Sequence, residues 1–168
     1  MEFPQPVLEH ISRYLTVQRE TIAVAESVTS GFLQLAFSQM PGAEQFYNGG
    51  ITAYSTDEKI KQLGIDQKIA NSTVSKELTN AMALAVADKF ATDWGLAATG
   101  YASPSAESDG SVFSFYSIAY RGRVVLSDFI ELHPLTKPLD AKNYFTECLL
   151  SCLRRELNEH ILELTLEN

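Results

Sequence analysis

The chain has 168 residues, 45% of them apolar, which suits one domain with a single filled core. Its 13 basic and 21 acidic side chains leave a formal charge of -8, which argues against nucleic-acid and membrane-surface partners, because both repel an acidic surface. Met1 is followed by Glu2, Phe3 and Pro4, with no cationic start and no long apolar run, so neither a signal peptide nor a membrane span is expected and a soluble cytoplasmic protein is.

Val7, Leu8, Ile11 and Leu15 stand at helical spacing and predict an amphipathic helix over 6–18. TIAVA (21–25) reads as a compact buried strand. Phe32, Leu33, Ala36 and Phe37 place a helix over 28–40, ended by Pro41-Gly42. A second strand runs from the diglycine Gly49-Gly50 to Tyr54, and a short helix from Asp57 to Leu63 stops at Gly64. Ser75 is the expected N-cap of a longer helix whose inner face carries Leu78, Met82, Ala85 and Val86. Gly95 to Gly100 is a small-residued third strand. After a polar loop over 101–110, SVFSFYSIAY and VVLSDFIEL form a hairpin across Arg121-Gly122-Arg123. A long helix from about Asp140 keeps Phe145, Leu149, Cys152, Leu153 and Leu157 in register. Helices alternating with strands, then a hairpin, make this an α/β sandwich with a mixed sheet in one domain.

Cys148 and Cys152 share a helix face at a spacing that suits a metal, but the only other ligand type nearby is His160, two turns on. The expectation is two small core residues without a disulfide. His10, His133 and His160 are scattered, so no metal site is expected. Trp94 reads as core or rim packing. The FSFYSIAY aromatics alternate as a sheet requires, which leaves no base-stacking platform.

In such sheets ligands bind beyond the carboxyl ends of the parallel strands. Glu26 to Gly31, Tyr54 to Lys59 and Thr99 to Pro104 should converge there. A helix starting near Thr29 would offer free N–H groups and a positive dipole end to a phosphate or an oxyanion. Simple N-capping is the plainer reading of Ser27, Thr29 and Ser30. A lysine in a partly desolvated site serves as base to a serine hydroxyl, and a tyrosine nearby donates to an oxyanion. Ser27, Lys59 and Tyr54 together suit metal-free amide hydrolysis, although Lys59 alone also fits the surface of a charged helix.

AESVTSG (Ala25 to Gly31), PGAEQFYNGGITAYSTDEK (Pro41 to Lys59), Leu63-Gly64, Val74-Ser75 and Thr99-Gly100 resemble, in order and spacing, the motifs of the CinA C-terminal domain family. The resemblance runs over roughly residues 5 to 160. Stand-alone members of that family are nicotinamide mononucleotide deamidases. The resemblance implies a three-layer α/β/α sandwich with a mixed, mostly parallel sheet, a homodimer, no cofactor, and a pyridine nucleotide or related amide as small-molecule partner. It implies Ser27 as nucleophile, Lys59 as base and Tyr54 assisting the oxyanion. Thr29, Ser30, Gly31, Glu44, Gly49, Gly50, Thr99 and Gly100 would surround the substrate.

Departures from the family pattern bear on the activity. Val28 replaces a cysteine and Ser30 a glycine. Glu44 stands where a serine belongs, and its carboxylate is expected to repel a phosphate or to pair with Lys59 and keep it protonated. The glycine-rich loop has become GYASPSAES (Gly100 to Ser108). The downstream arginine is missing, leaving Lys137 or His133 to stand in without its bidentate fork. Three readings follow: an amidohydrolase acting on nicotinamide mononucleotide, a non-catalytic member that binds a nucleotide-like ligand or a protein, and an amidase for a substrate without phosphate.

Overall fold

The computed structural model describes residues 3–71 and 74–166. Its elements run α1 (Gln5–Gln18), β1 (Ile22–Glu26), α2 (Phe32–Ser38), a 3-10 turn (Ala43–Gln45), β2 (Tyr47–Thr52), α3 (Thr56–Leu63), α4 (Gln67–Ala70) and α5 (Lys76–Phe90). β3 (Trp94–Tyr101), β4 (Val112–Tyr120), β5 (Arg123–Leu132) and α6 (Pro138–Leu166) complete the chain. The strands form one sheet in the order β2-β1-β3-β4-β5. β1 pairs in parallel with β2 and β3, whereas β4 is antiparallel to both β3 and β5. Four strands therefore share a direction and β4 opposes them, the mixed and mostly parallel sheet that was expected.

Alternation along β1 sorts the two faces. Ile22 and Val24 point to the layer made by α1, α2 and α6, where Leu8, Ile11, Leu15, Phe37, Phe145 and Leu153 pack. Ala23 and Ala25 point to α3, α4 and α5, against Met82, Ala83 and Val86. Burying each large apolar side chain stabilises the fold by about 1.5–3 kcal/mol, so the first face holds most of the core. The second face is built for closeness instead. A Cβ on Gly95 would collide with the Ala83 carbonyl, so α5 lies almost on the backbone of β3.

Several boundaries differ from the sequence reading, for local reasons. α2 begins at Phe32 rather than 28, because Ser30 (φ 50°) and Gly31 (φ 98°) hold left-handed conformations that an α-helix does not accept. β2 covers Tyr47–Thr52, two residues earlier than expected. The turn α4 was not anticipated; the Asp66 carboxylate caps it by accepting from the Lys68 N–H at 2.8 Å. Ser75 caps α5 as expected, accepting from the Leu78 N–H at 3.2 Å. The β4–β5 hairpin turns on Arg121 and Gly122, both at positive φ, the geometry that matches strand twist.

The amino ends of β1 and β3 are tied by a buried carboxylate. Glu20 accepts from the Trp94 indole N–H and the Tyr120 hydroxyl, each at 2.7 Å, and from Arg121 at 3.4 Å. Trp94 is thus core packing with a polar tether. The opposite edge, at the carboxyl ends of β1, β2, β3 and β5, is left open to four connecting segments. No described helix is long and apolar enough to cross a membrane.

Candidate active site

A cavity of about 610 Å³ opens at that edge, lined among others by Ser27, Tyr54, Lys59, Thr99, Glu107 and Lys142. The three segments singled out in the sequence do converge there. A fourth, the first turn of α6, joins them.

The Ser27 turn is held from below by Glu26, to which the sequence reading assigns no role of its own within the segment Glu26 to Gly31. Its fully buried carboxylate accepts from the N–H groups of Gly31 (3.0 Å), Leu33 (3.0 Å) and Gln34 (2.9 Å). These are the free donors of the α2 amino terminus, which already has its anion. A phosphate or an oxyanion therefore finds no free donor in the first turn of α2 itself. Capping by Ser27, Thr29 or Ser30 is overturned: the N-cap residue is Gly31, and no hydroxyl bonds the first turn. The backbone of 27–31 instead folds through successive turns, Ser30 N–H to Ser27 O at 3.2 Å and Phe32 N–H to Thr29 O at 3.2 Å. Ser27 is buried and its own N–H donates to the Ala98 carbonyl at 3.0 Å. Among the described residues, the N–H groups of Val28 and Thr29 find no partner.

Lys59 sits on α3, whose first turn is capped by Ser55 accepting from the Glu58 N–H at 3.2 Å. The lysine is buried, 6% exposed, and its Nζ donates to the Tyr54 carbonyl at 3.1 Å. It takes part in no ion pair among the described residues. Desolvation disfavours the ammonium and lowers its pKa below the ordinary lysine value. The alternative reading of Lys59 as a surface lysine of a charged helix therefore fails. Tyr54 gives the interior its carbonyl; its ring is 69% exposed at the rim.

Thr99 and Thr29 are fully buried, and their hydroxyls find no hydrogen-bond partner among the described residues. Thr99 reaches the cavity wall, as does Gly100, where a Cβ would run into the Phe113 carbonyl of β4. Ser30 donates its hydroxyl to the Ser27 carbonyl at 3.1 Å and accepts from Lys142 Nζ at 3.2 Å. Lys142 therefore brings its Nζ to the cavity and grips the turn that carries Ser27. Sequence reasoning had offered Lys137 or His133 for this place, but neither lines the cavity, and the His133 ring accepts from the Leu135 N–H instead.

Glu44, Gly49 and Gly50 do not line the cavity either. Glu44 lies exposed in the 3-10 turn before β2, hence at the amino edge of the parallel strands, away from Lys59. The expected Lys59–Glu44 pair is absent. Gly49 and Gly50 serve packing: a Cβ on Gly50 would press Val24 and Gln34, and one on Gly49 the ring of Phe90.

A profile of the CinA C-terminal domain matches residues 4–129. The chain belongs to this family. It is 42% identical over 96 residues to a CinA-like protein of Synechocystis sp., covering 56% of this chain and 23% of that protein. It is 38% identical over 104 residues to a CinA-like protein of Gloeobacter violaceus, covering 61% and 24%. The chain thus spans about a quarter of the length of these curated relatives. Among solved structures, it superposes on a competence or damage-inducible protein of Enterobacter asburiae with a TM-score of 0.85 at 22% identity, covering 94% of this chain and 99% of the other. A CinA superfamily protein of Klebsiella pneumoniae gives 0.84 at 20% identity, with 92% and 98% covered. These likenesses extend the CinA C-terminal fold over α6, beyond the profile match.

Proposed function

We propose that the chain is a metal-independent amidohydrolase of the serine–lysine type that hydrolyses the carboxamide of nicotinamide mononucleotide to nicotinate mononucleotide and ammonia. The observation that carries this reading is a buried lysine, free of any carboxylate partner among the described residues, in one cavity with a buried serine.

Lys59 as the neutral amine takes the Ser27 hydroxyl proton, and Oγ bonds to the amide carbon while the carbonyl electrons move to its oxygen. The N–H groups of Val28 and Thr29, next along the chain, stabilise that oxyanion, with the Tyr54 hydroxyl at the rim. Lys59 returns the proton to the departing nitrogen, ammonia leaves, and an ester to Ser27 remains. Water then repeats the sequence, releasing the carboxylate and restoring the serine. Thr99 orients the amide through its unpartnered hydroxyl, and Lys142 faces the anionic part of the substrate. The same reading includes a cytoplasmic homodimer, which light scattering and cell fractionation test.

The decisive experiment is ammonia release from nicotinamide mononucleotide, with Ser27→Ala and Lys59→Met alongside. Release abolished by both substitutions supports the reading; release unaffected by either overturns it. A second reading, an amidase for a substrate without phosphate, draws on one observation: among the described residues the cavity is lined by no arginine and by the Glu107 carboxylate. Turnover of nicotinamide riboside but not of its phosphate would favour it. The non-catalytic reading loses the Glu44–Lys59 pair on which it partly stood.

A further inference from the structure

Outside this cavity, α6 carries two free thiols, Cys148 and Cys152, one turn apart on the same face. Both are partly exposed rather than sealed in the core. Tyr116 of β4 belongs to the core cluster they pack against, and its hydroxyl and the two thiols act on one another electrostatically. Asp128 of β5 and Arg155 of α6 are the charged groups that act on it. Donation from the Cys152 thiol, and from the Tyr116 hydroxyl, outweighs burial and holds the Cys148 thiol below its ordinary range.

Helical spacing decides what such a pair can do. Side chains at i and i+4 have Cβ atoms about 5–6 Å apart, whereas a disulfide needs roughly 3.5–4.5 Å. α6 runs unbroken through both positions, so a direct S–S bond requires a turn of helix to unwind. One atom placed between the sulfurs removes that conflict. Among the described residues no third histidine, cysteine or carboxylate completes a metal cage here, whereas a structural zinc site takes four ligands. The pair suits an electrophile satisfied by two sulfurs.

We propose that Cys148 and Cys152 form a dithiol site that captures a monosubstituted trivalent arsenical, a single arsenic atom bridging the two sulfurs across one turn of α6. Both S–H bonds and the arsenic–oxygen double bond break, two As–S bonds form, and the two protons leave with the oxygen as one water. No atom changes oxidation state.

The test treats the full folded chain with one equivalent of phenylarsine oxide and reads intact mass and iodoacetamide protection. One adduct per chain, protecting both cysteines, is expected. Cys148→Ser and Cys152→Ser each lose the chelate, so affinity falls by about 10²–10⁴-fold; alanine variants, checked by circular dichroism, serve if a serine variant misfolds. A folded wild type that takes no adduct while its unfolded chain does overturns the proposal, as does equal affinity in either single variant. Hydrogen peroxide should leave the thiols unbridged; an intrachain disulfide with helix content intact refutes the spacing argument.

Discussion

Replacing Glu26 by alanine tests whether the turn that carries Ser27 stands on this one carboxylate. Three N–H groups end on it, at 3.0, 3.0 and 2.9 Å, in a site sealed from water. Loss of an ordinary N-cap costs about 1 kcal/mol, and hydrogen bonds to a charged acceptor contribute about 1.5–3 kcal/mol each. Three bonds to one group are not additive, so Glu26→Ala should destabilise the protein by about 4 kcal/mol. For a domain of this size, each kcal/mol shifts Tm by about 2–4 °C, which predicts a fall of about 8–16 °C. Glu26→Gln keeps one acceptor oxygen but turns an amide N–H₂ toward N–H donors, so it should lie between alanine and wild type. Thermal melts followed by circular dichroism, with Ser27→Ala as the neighbour that leaves Tm within about 2 °C, separate the carboxylate from general disturbance of the turn. A Glu26→Ala melt within about 3 °C of wild type would show that water replaces the carboxylate, and the anchoring argument would be wrong.

Gly95→Ala should destabilise by about 3 kcal/mol or more, because its methyl meets the Ala83 carbonyl of α5; urea unfolding measures it. Lys142→Met should raise KM for nicotinamide mononucleotide by about 10–100-fold, the effect of losing a charged contact, with a smaller change in kcat, and steady-state kinetics decide. Burial lowers the folded pKa of Lys59 below 10.5. Between that lowered value and 10.5 the unfolded chain binds more protons, so stability should rise with pH across that window and Lys59→Met should flatten the rise. For the same reason the rate should climb with pH through the lowered pKa of Lys59 and level off before 10.5.

Most of the fold was legible because periodicity and punctuation agree: Ser75 before an apolar helix, Gly64 after one, and Arg121-Gly122 between alternating runs each admit one local structure. Ser27, Lys59 and Thr99 were legible for a second reason, that strand ends in parallel sheets gather ligand-facing loops. Glu26 was not, since a carboxylate ending an apolar strand looks like an exit to solvent. The local sign was there in Gly31, a helix start with no hydroxyl cap of its own and donors left to satisfy. Lys142 goes unnoticed in the sequence and Glu44 is misplaced for one shared reason, which strand parity resolves. A hairpin leaves β3 in one direction and returns β5 in the same direction, so the carboxyl end of β5 and the first turn of α6 must reach the edge where β1 and β3 end. The same count puts the segment before β2 at the opposite edge. Counting reversals along the chain would thus have exchanged Glu44 for Lys142 in the candidate site before any coordinates.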